Sequence, residues 1–307
     1  MATHGKGITF FFLILIVFTA GLKSDVEFPL VQSLALFPYS DSSLLNNKQL
    51  SIGLKADYSN IYSLDFNKTG VTDFEISSFT LSFRYGISDG FTLELYYRYF
   101  TVCGGFLDEG IKAFHDFFNL PSARRDNYPS NTVNYFFKEY FQYNYSTGTS
   151  SPLVFSVFKS LGGSRNFNLF GRLFLGIPFQ SKPGFVSDRV FWGGGILGTF
   201  VRDHFRVEAS VYTSFINTPE WLVGESLKSV IFIYNLELGY RDLLAGLILK
   251  TSPFKSGYFS SNAHQLYIGY RFSKKIEIGI VEDLPPMDTT PDVGFYIKLI
   301  FSDLLKK

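Results

Sequence analysis

From residue 48 onward, apolar side chains recur at every second position. In 50–58, Leu50, Ile52, Leu54, Ala56 and Tyr58 alternate with Ser51, Gly53, Lys55 and Asp57. A strand turns successive side chains to opposite faces, so this spacing predicts a strand with one apolar and one polar face. The pattern returns as Phe79, Leu81, Phe83 and Tyr85 against Thr80, Ser82 and Arg84, and as Phe91, Leu93, Leu95, Tyr97 and Tyr99 against Thr92, Glu94, Tyr96 and Arg98. "ISDG" between these two runs predicts a tight hairpin turn. Further strands are expected at 152–160, 166–178, 188–201, 204–215, 227–240, 243–252, 263–273, 276–284 and 293–301, which makes twelve.

The connections alternate in length. Tight turns fall at Ser88–Gly90, Leu161–Arg165, Arg202–Asp203, Arg241–Asp242 and Ser273–Lys275, with longer segments at 59–72, 102–150, 179–187, 216–226, 253–262 and 285–292. An even number of strands with one short-looped and one long-looped end is the pattern of an outer-membrane barrel. The expected fold is therefore all-β: a transmembrane antiparallel up-and-down barrel of about twelve strands with a helix in one long extracellular loop. A secreted two-sheet sandwich would also alternate, because one face of each sheet is buried. Three features favour the barrel. Full charges recur on the polar face, at Lys55, Arg84, Glu94, Arg98, Arg172, Glu208, Glu237 and Arg271, and suit a wet lumen. The loops alternate. The stretch "GFYIKLIF" (294–301) sets Phe295, Ile297, Leu299 and Phe301 on one face, resembling the C-terminal signal read by the barrel assembly machinery, although "SDLLKK" follows Phe301.

The long connection 102–150 interrupts the alternation with a helical period. Leu107, Ile111, Phe114 and Phe118 lie at helical spacing, Asp108 and Glu109 occupy the first turn, and Pro121 ends the helix. An amphipathic helix needs an apolar seat, and three are open: the barrel mouth, the lumen, or the interface of the outer leaflet. The candidate loop or plug residues are Phe114, His115, Asp116, Phe118 and the charged knot Arg124, Arg125 and Asp126. Beyond them "NYFFKEYFQYNY" (134–145) is expected to extend the next strand above the membrane.

Other features set the compartment. His4 and Lys6 precede an apolar run, Ile8 to Ala20, that turns polar at Lys23, which predicts a secretory signal peptide over 1–24 and a single mature domain over 25–307. That run is shorter than the roughly 20 residues a spanning helix needs. Cys103 is the sole cysteine, so no intrachain disulfide forms. A formal charge of +1 makes nucleic acid an unexpected partner, and 19% Phe, Tyr and Trp suits the two aromatic girdles of a membrane barrel. The expected partners are outer-membrane lipid, the assembly machinery and a small-molecule solute. Both termini are expected in the periplasm.

The segments "IKAFHDFFNLPSARRDNYPSN" (111–131) and "FPYSDSSLLNNKQLSIGLKADYSN" (37–60) resemble an uncharacterised family of Gram-negative outer-membrane proteins known only as a domain of unknown function. The resemblance implies location and fold, and no activity.

Candidate chemistry is sparse. His204 lies in a turn beside Asp203, His115 in the helix, and His264 near a strand end with Ser260, Ser261, Asn262 and Asp283 in reach along the chain or across a strand pair. Their spacing matches neither an outer-membrane phospholipase nor an outer-membrane protease, and no metal or cofactor signature is present, so no enzyme and no cofactor are expected. "WGGGILG" (192–198) inside a strand marks a bend, a bulge or close packing. The expected function is a small channel or transporter for small solutes, whose lumen charges set selectivity. The alternative is a non-conducting barrel with a structural, surface-binding or lipase- or protease-like hydrolytic role.

Overall fold

The computed structural model describes residues 44–64, 70–118, 129–256, 260, 262–273, 275–283 and 293–302. Residues 1–24, Arg124, Arg125, Asp126 and Ser261, and the side chains of Phe114, His115, Phe118 and Asp283, lie outside the described residues.

The alternating segments form strands β1 (Leu50–Leu64), β2 (Gly70–Ser88), β3 (Phe91–Cys103), β7 (Leu153–Gly163), β8 (Phe167–Ile177), β9 (Phe191–Arg202), β10 (Phe205–Phe215), β11 (Val230–Tyr240), β12 (Leu243–Lys250), β13 (Ala263–Ser273), β14 (Ile276–Asp283) and β15 (Val293–Phe301). Each pairs antiparallel with its neighbour, β3 with β7 included, and β1 pairs with β15 from Ile52↔Phe301 to Asn60↔Val293. The sheet thus closes into a twelve-stranded barrel and leaves these strands no free edge. Three short strands belong to the long connection after β3: β4 (Asn134–Phe137), β5 (Phe141–Tyr143) and β6 (Thr147–Ser150).

The two faces of the wall differ as lipid and lumen require. Outward positions keep apolar side chains exposed: Leu93, Phe155, Leu173, Ile196, Val211, Leu236 and Ile297 among them. Exposed rings ring both ends of this belt. Phe79, Tyr99, Trp192 and Phe215 stand toward the long loops, and Tyr85, Phe205, Tyr240 and Phe272 toward the short turns. Inward positions are mostly buried and carry the charged residues of the wall, with rings such as Phe158 and Phe174 among them. No helix among the described residues is long and apolar enough to cross a membrane.

Strands β1 and β2 run further than the periodicity predicts, and the reason is a change of sign. Up to Ser77 and Ser78 the apolar residues of β2 point outward, as Phe79, Leu81 and Phe83 do. Beyond it the inward Phe74 and Ile76 are apolar and buried, and the outward Asp73 and Glu75 are acidic. The register with β1 is continuous through this point, with Phe79 opposite Ala56 and Glu75 opposite Asn60. The strand has left lipid, and its inner face now packs against protein.

That protein is a lid. Residues 134–145 do not extend β7 as expected; β4 and β5 form a hairpin, turned at Lys138 with φ 45°, and β4 pairs with the upper part of β2. The hairpin folds over the mouth and buries Tyr135, Phe137, Phe141 and Tyr143. Competition decided this: β3 stops at Cys103, which leaves the inner edge of β2 above Glu75 open to pairing by β4.

The expected helix forms as α1 (Leu107–Phe118) and sits on the outside of the barrel. Asp108 Oδ1 accepts from Asn60 Nδ2 at 2.8 Å, the Leu107 amide donates to Glu75 Oε1, and Phe106 stacks on Tyr58 at 5.3 Å. Asn60, Glu75 and Tyr58 all lie on the outward face of β1 and β2. The helix therefore fills neither lumen nor mouth, and Asp116 is exposed on it.

Candidate functional site: the lumen and its lid

The lumen is built in layers by the inward residues of all twelve strands. Toward the short turns a cavity of about 690 Å³ opens between Leu44–Asn46, Asp89, Asn168, Phe170, Thr199 and Arg206. The segment before β1 enters this vestibule: the Leu45 amide donates to Thr92 Oγ1 at 2.9 Å, and Leu45 is buried.

Above the vestibule lies a charged layer. Lys55, Arg84, Glu94, Arg98, Arg172, Glu208, Glu237 and Arg271 all stand on the inward face, and all but Lys55 and Arg271 are buried. Asp57, which sequence reading passed over, joins two of them: its carboxylate lies 3.1 Å from Lys55 Nζ and 3.0 Å from Arg98. Ser78 Oγ donates to the same carboxylate and accepts from Arg98 Nε. Arg172 pairs with Glu94 at 2.5 Å and lays its guanidinium over the Phe158 ring, 4.4 Å from the centroid. Glu94 is also directly opposite Arg84 in the β2–β3 register. Glu208 and Glu237 face each other across β10 and β11, a like-charge pair that would oppose folding without a cation. Arg206 supplies one, 2.6 Å from Glu208 and 4.0 Å from Glu237, while the Tyr267 hydroxyl donates to Glu237 at 3.0 Å. Arg271 closes the set on Glu277 at 2.9 Å.

Glycines make room for this filling. A Cβ on Gly193 would meet the Phe174 ring, one on Gly195 the Tyr212 ring, and one on Gly176 the Phe191 ring. The inward glycines of "WGGGILG" thus let rings lie flat on the wall beside Arg172.

At the long-loop end the filling turns apolar. The lid rings form one cluster with Phe185, Trp221 and Phe254 from three other long connections: Tyr135 lies 4.6 Å from Phe141 and 5.1 Å from Phe185, and Phe137 lies 6.1 Å from Phe254. Wall residues Ile61, Phe74, Phe100, Ile231 and Ile233 complete it. Polar fasteners hold the lid at its rim. Tyr135 donates to Gly184 O at 2.7 Å, Tyr143 to Pro183 O at 3.1 Å, and Lys138 pairs with Glu225 at 2.5 Å. Burial pushes the Tyr143 phenol up to about 12, which keeps the proton it donates. Lys182 Nζ reaches Gly148 O at 3.2 Å and sits over the Tyr143 and Phe185 rings; burial lowers its pKa. Of the residues that close the mouth, the alternation "YFF" and "FQY" was the available signal; Phe185, Trp221 and Phe254 carried none.

Among the described residues, His204 and His264 are not brought together. His204 is exposed in the β9–β10 turn, and His264 lies on the outward face near the long-loop end of β13. Among the described residues no hydrogen bond joins His264 to a serine, and no group of three His, Cys, Asp or Glu is placed to hold a metal ion.

Over residues 22–168 the chain matches the family model DUF3187. That family is described as a protein of unknown function, and the match takes in both segments that carry the resemblance, together with α1, the lid and Lys55, Arg84, Glu94 and Arg98. No curated protein matches the chain. Among solved structures the chain is similar to the COG4313 outer membrane channel from Pseudomonas putida F1, at 10% identity and a TM-score of 0.52, over 87% of this chain and 99% of that one. It also resembles the Ralstonia pickettii toluene transporter TbuX, at 8% identity and a TM-score of 0.39 over 89% and 97%, and the outer membrane phospholipase A from Escherichia coli, at 12% and 0.37 over 89% and 98%. The first likeness shows the fold: an outer-membrane β-barrel.

Proposed function

We propose that this protein is a small outer-membrane channel or transporter for small solutes, whose outer mouth is closed by the β4–β5 lid. The observation that carries this reading is the contrast between the two ends. A vestibule opens toward the short turns, whereas the long-loop mouth is stopped by the aromatic side chains of the long connections. The short turns and both termini lie in the periplasm, after removal of the signal peptide over 1–24, and the lid faces outward. Lys55, Arg84, Glu94, Arg98, Arg172, Glu208, Glu237 and Arg271 set the selectivity of the open pathway, because a solute must exchange contacts with their pairs.

The test is planar-bilayer conductance of the refolded protein beside Tyr135→Ala with Phe141→Ala. Loss of two rings from the plug, about 1.5 to 3 kcal/mol each in burial, predicts more frequent and longer openings in the variant. A second reading, a non-conducting barrel of structural or surface-binding role, is favoured by the Arg98–Asp57 and Arg172–Glu94 pairs, which are buried among the inward side chains. It predicts silence from both proteins.

A further inference from the structure

We infer that α1 is a membrane-interface anchor, whose exposed apolar stripe enters the acyl region of the outer leaflet beside the barrel. The start of the helix is pinned to the wall: Asp108 binds Asn60 and the Asn131 amide, the Leu107 amide binds Glu75, and Phe106 stacks on Tyr58. Phe106, just before the helix, and Gly110, Ala113 and Phe117 within it follow one another at spacings of 4, 3 and 4 residues, so they share one stripe, and all four are exposed. Phe106 is 69% exposed and Phe117 78%, more than the rings of the lipid-facing belt. Glu109, Lys112 and Asp116, also exposed, make the neighbouring polar stripe. A helix with an apolar side, a charged side and no span-length core lies in the plane of an interface.

Continuity with the lipid-facing wall names the occupant. Tyr58, under the Phe106 ring, lies one inter-strand pair above Phe79, which stands opposite Ala56 and opposite Tyr99, and both of those rings are exposed on the outer face. The stripe therefore starts at the aromatic row that ends the apolar belt. Above this row the outward faces of β1 and β2 turn polar at Asn60, Asp73 and Glu75, so the helix is pinned at the height where lipid gives way to water. An apolar stripe at that height faces acyl chains.

The test uses single cysteines in a Cys103→Ser background, carrying a nitroxide at Phe117→Cys, Lys112→Cys or Phe79→Cys, with the protein refolded into phosphatidylcholine vesicles. Relaxation by molecular oxygen, which concentrates in the acyl region, is compared with relaxation by a water-soluble nickel complex. The expected result is oxygen-dominated relaxation at 117, as at 79, and nickel-dominated relaxation at 112. Nickel-dominated relaxation at 117 would place the helix in water and overturn the proposal. Shielding of 117 from both agents would mean that protein, such as a second copy, covers the stripe, and would overturn it as well. A second measurement uses the unaltered chain: a photoactivatable group at the end of a lipid acyl chain should label residues 106–117 along with the outward residues of the strands, and labelling of the strands alone counts against the anchor.

Discussion

Asp57 organises the charged layer although the wall around it would tolerate many polar residues. It accepts from Ser78 and neutralises Arg98, and both members of the ion pair are buried. Removing one partner of a buried pair leaves the other charged and dry, at a cost of about 3 to 5 kcal/mol. Asp57→Asn should therefore lower the urea midpoint for refolding into vesicles far more than Lys55→Gln, whose side chain keeps 15% of its surface in solvent. Equal effects from the two would contradict the buried pairing. Glu208 and Glu237 give the complementary case. Arg206→Met should destabilise by leaving two facing carboxylates, and adding Glu208→Gln should recover most of the loss, since the repulsion goes with one of the charges. A double variant no better than the single would show that Arg206 acts by packing alone.

At the level of the element, the lid and the glycine-bearing strand β9 carry distinct expectations. Gly195→Leu would drive a side chain into the Tyr212 ring and the neighbouring backbone, and overpacking of this kind costs about 1 to 3 kcal/mol. Heat-modifiable gel migration should show less folded barrel for Gly195→Leu than for Gly194→Leu, whose Cβ points to the outer face. The lid fastener Lys138–Glu225 lies outside the membrane, and its hydrogen bond to Glu225 raises the Lys138 pKa. A raised lysine pKa means that the bridge favours closure fully below the ordinary lysine value, about 10.4, and is lost as pH rises through the raised one. Openings measured from pH 6 to 9 should not change on this account and should increase only in strong alkali. The strands inside lipid were legible because one rule, apolar outward with the charges inward, holds from the short turns up to Ser77. The lid was not, because above Ser77 the rule reverses: Phe74, Ile76, Tyr135 and Phe137 are apolar toward the inside, and the same alternation then reads as a continuing strand with no indication of which neighbour it meets. The helix was legible as a helix from Leu107, Ile111, Phe114 and Phe118. Its seat was not, since Asn60 and Glu75, which pin it, lie more than thirty residues away in the chain.

For the whole molecule, closure of β1 on β15 removes every barrel edge, while the interior is filled from both ends: by the segment before β1 at the vestibule and by the lid at the mouth. A molecule built this way should resist protease in detergent except in its long connections, and the hairpin 134–143 should be cut only after the lid lifts. The central claim is that lid movement gates a pathway through this barrel. Its most direct measurement is single-channel current from a Cys103→Ser protein carrying Lys138→Cys and Glu225→Cys, recorded before and after a short bis-maleimide joins the two positions that now form the lid's ion pair. Gated conduction predicts openings in the unlinked protein that disappear once the link forms. Openings of unchanged size and frequency after complete linkage would contradict it.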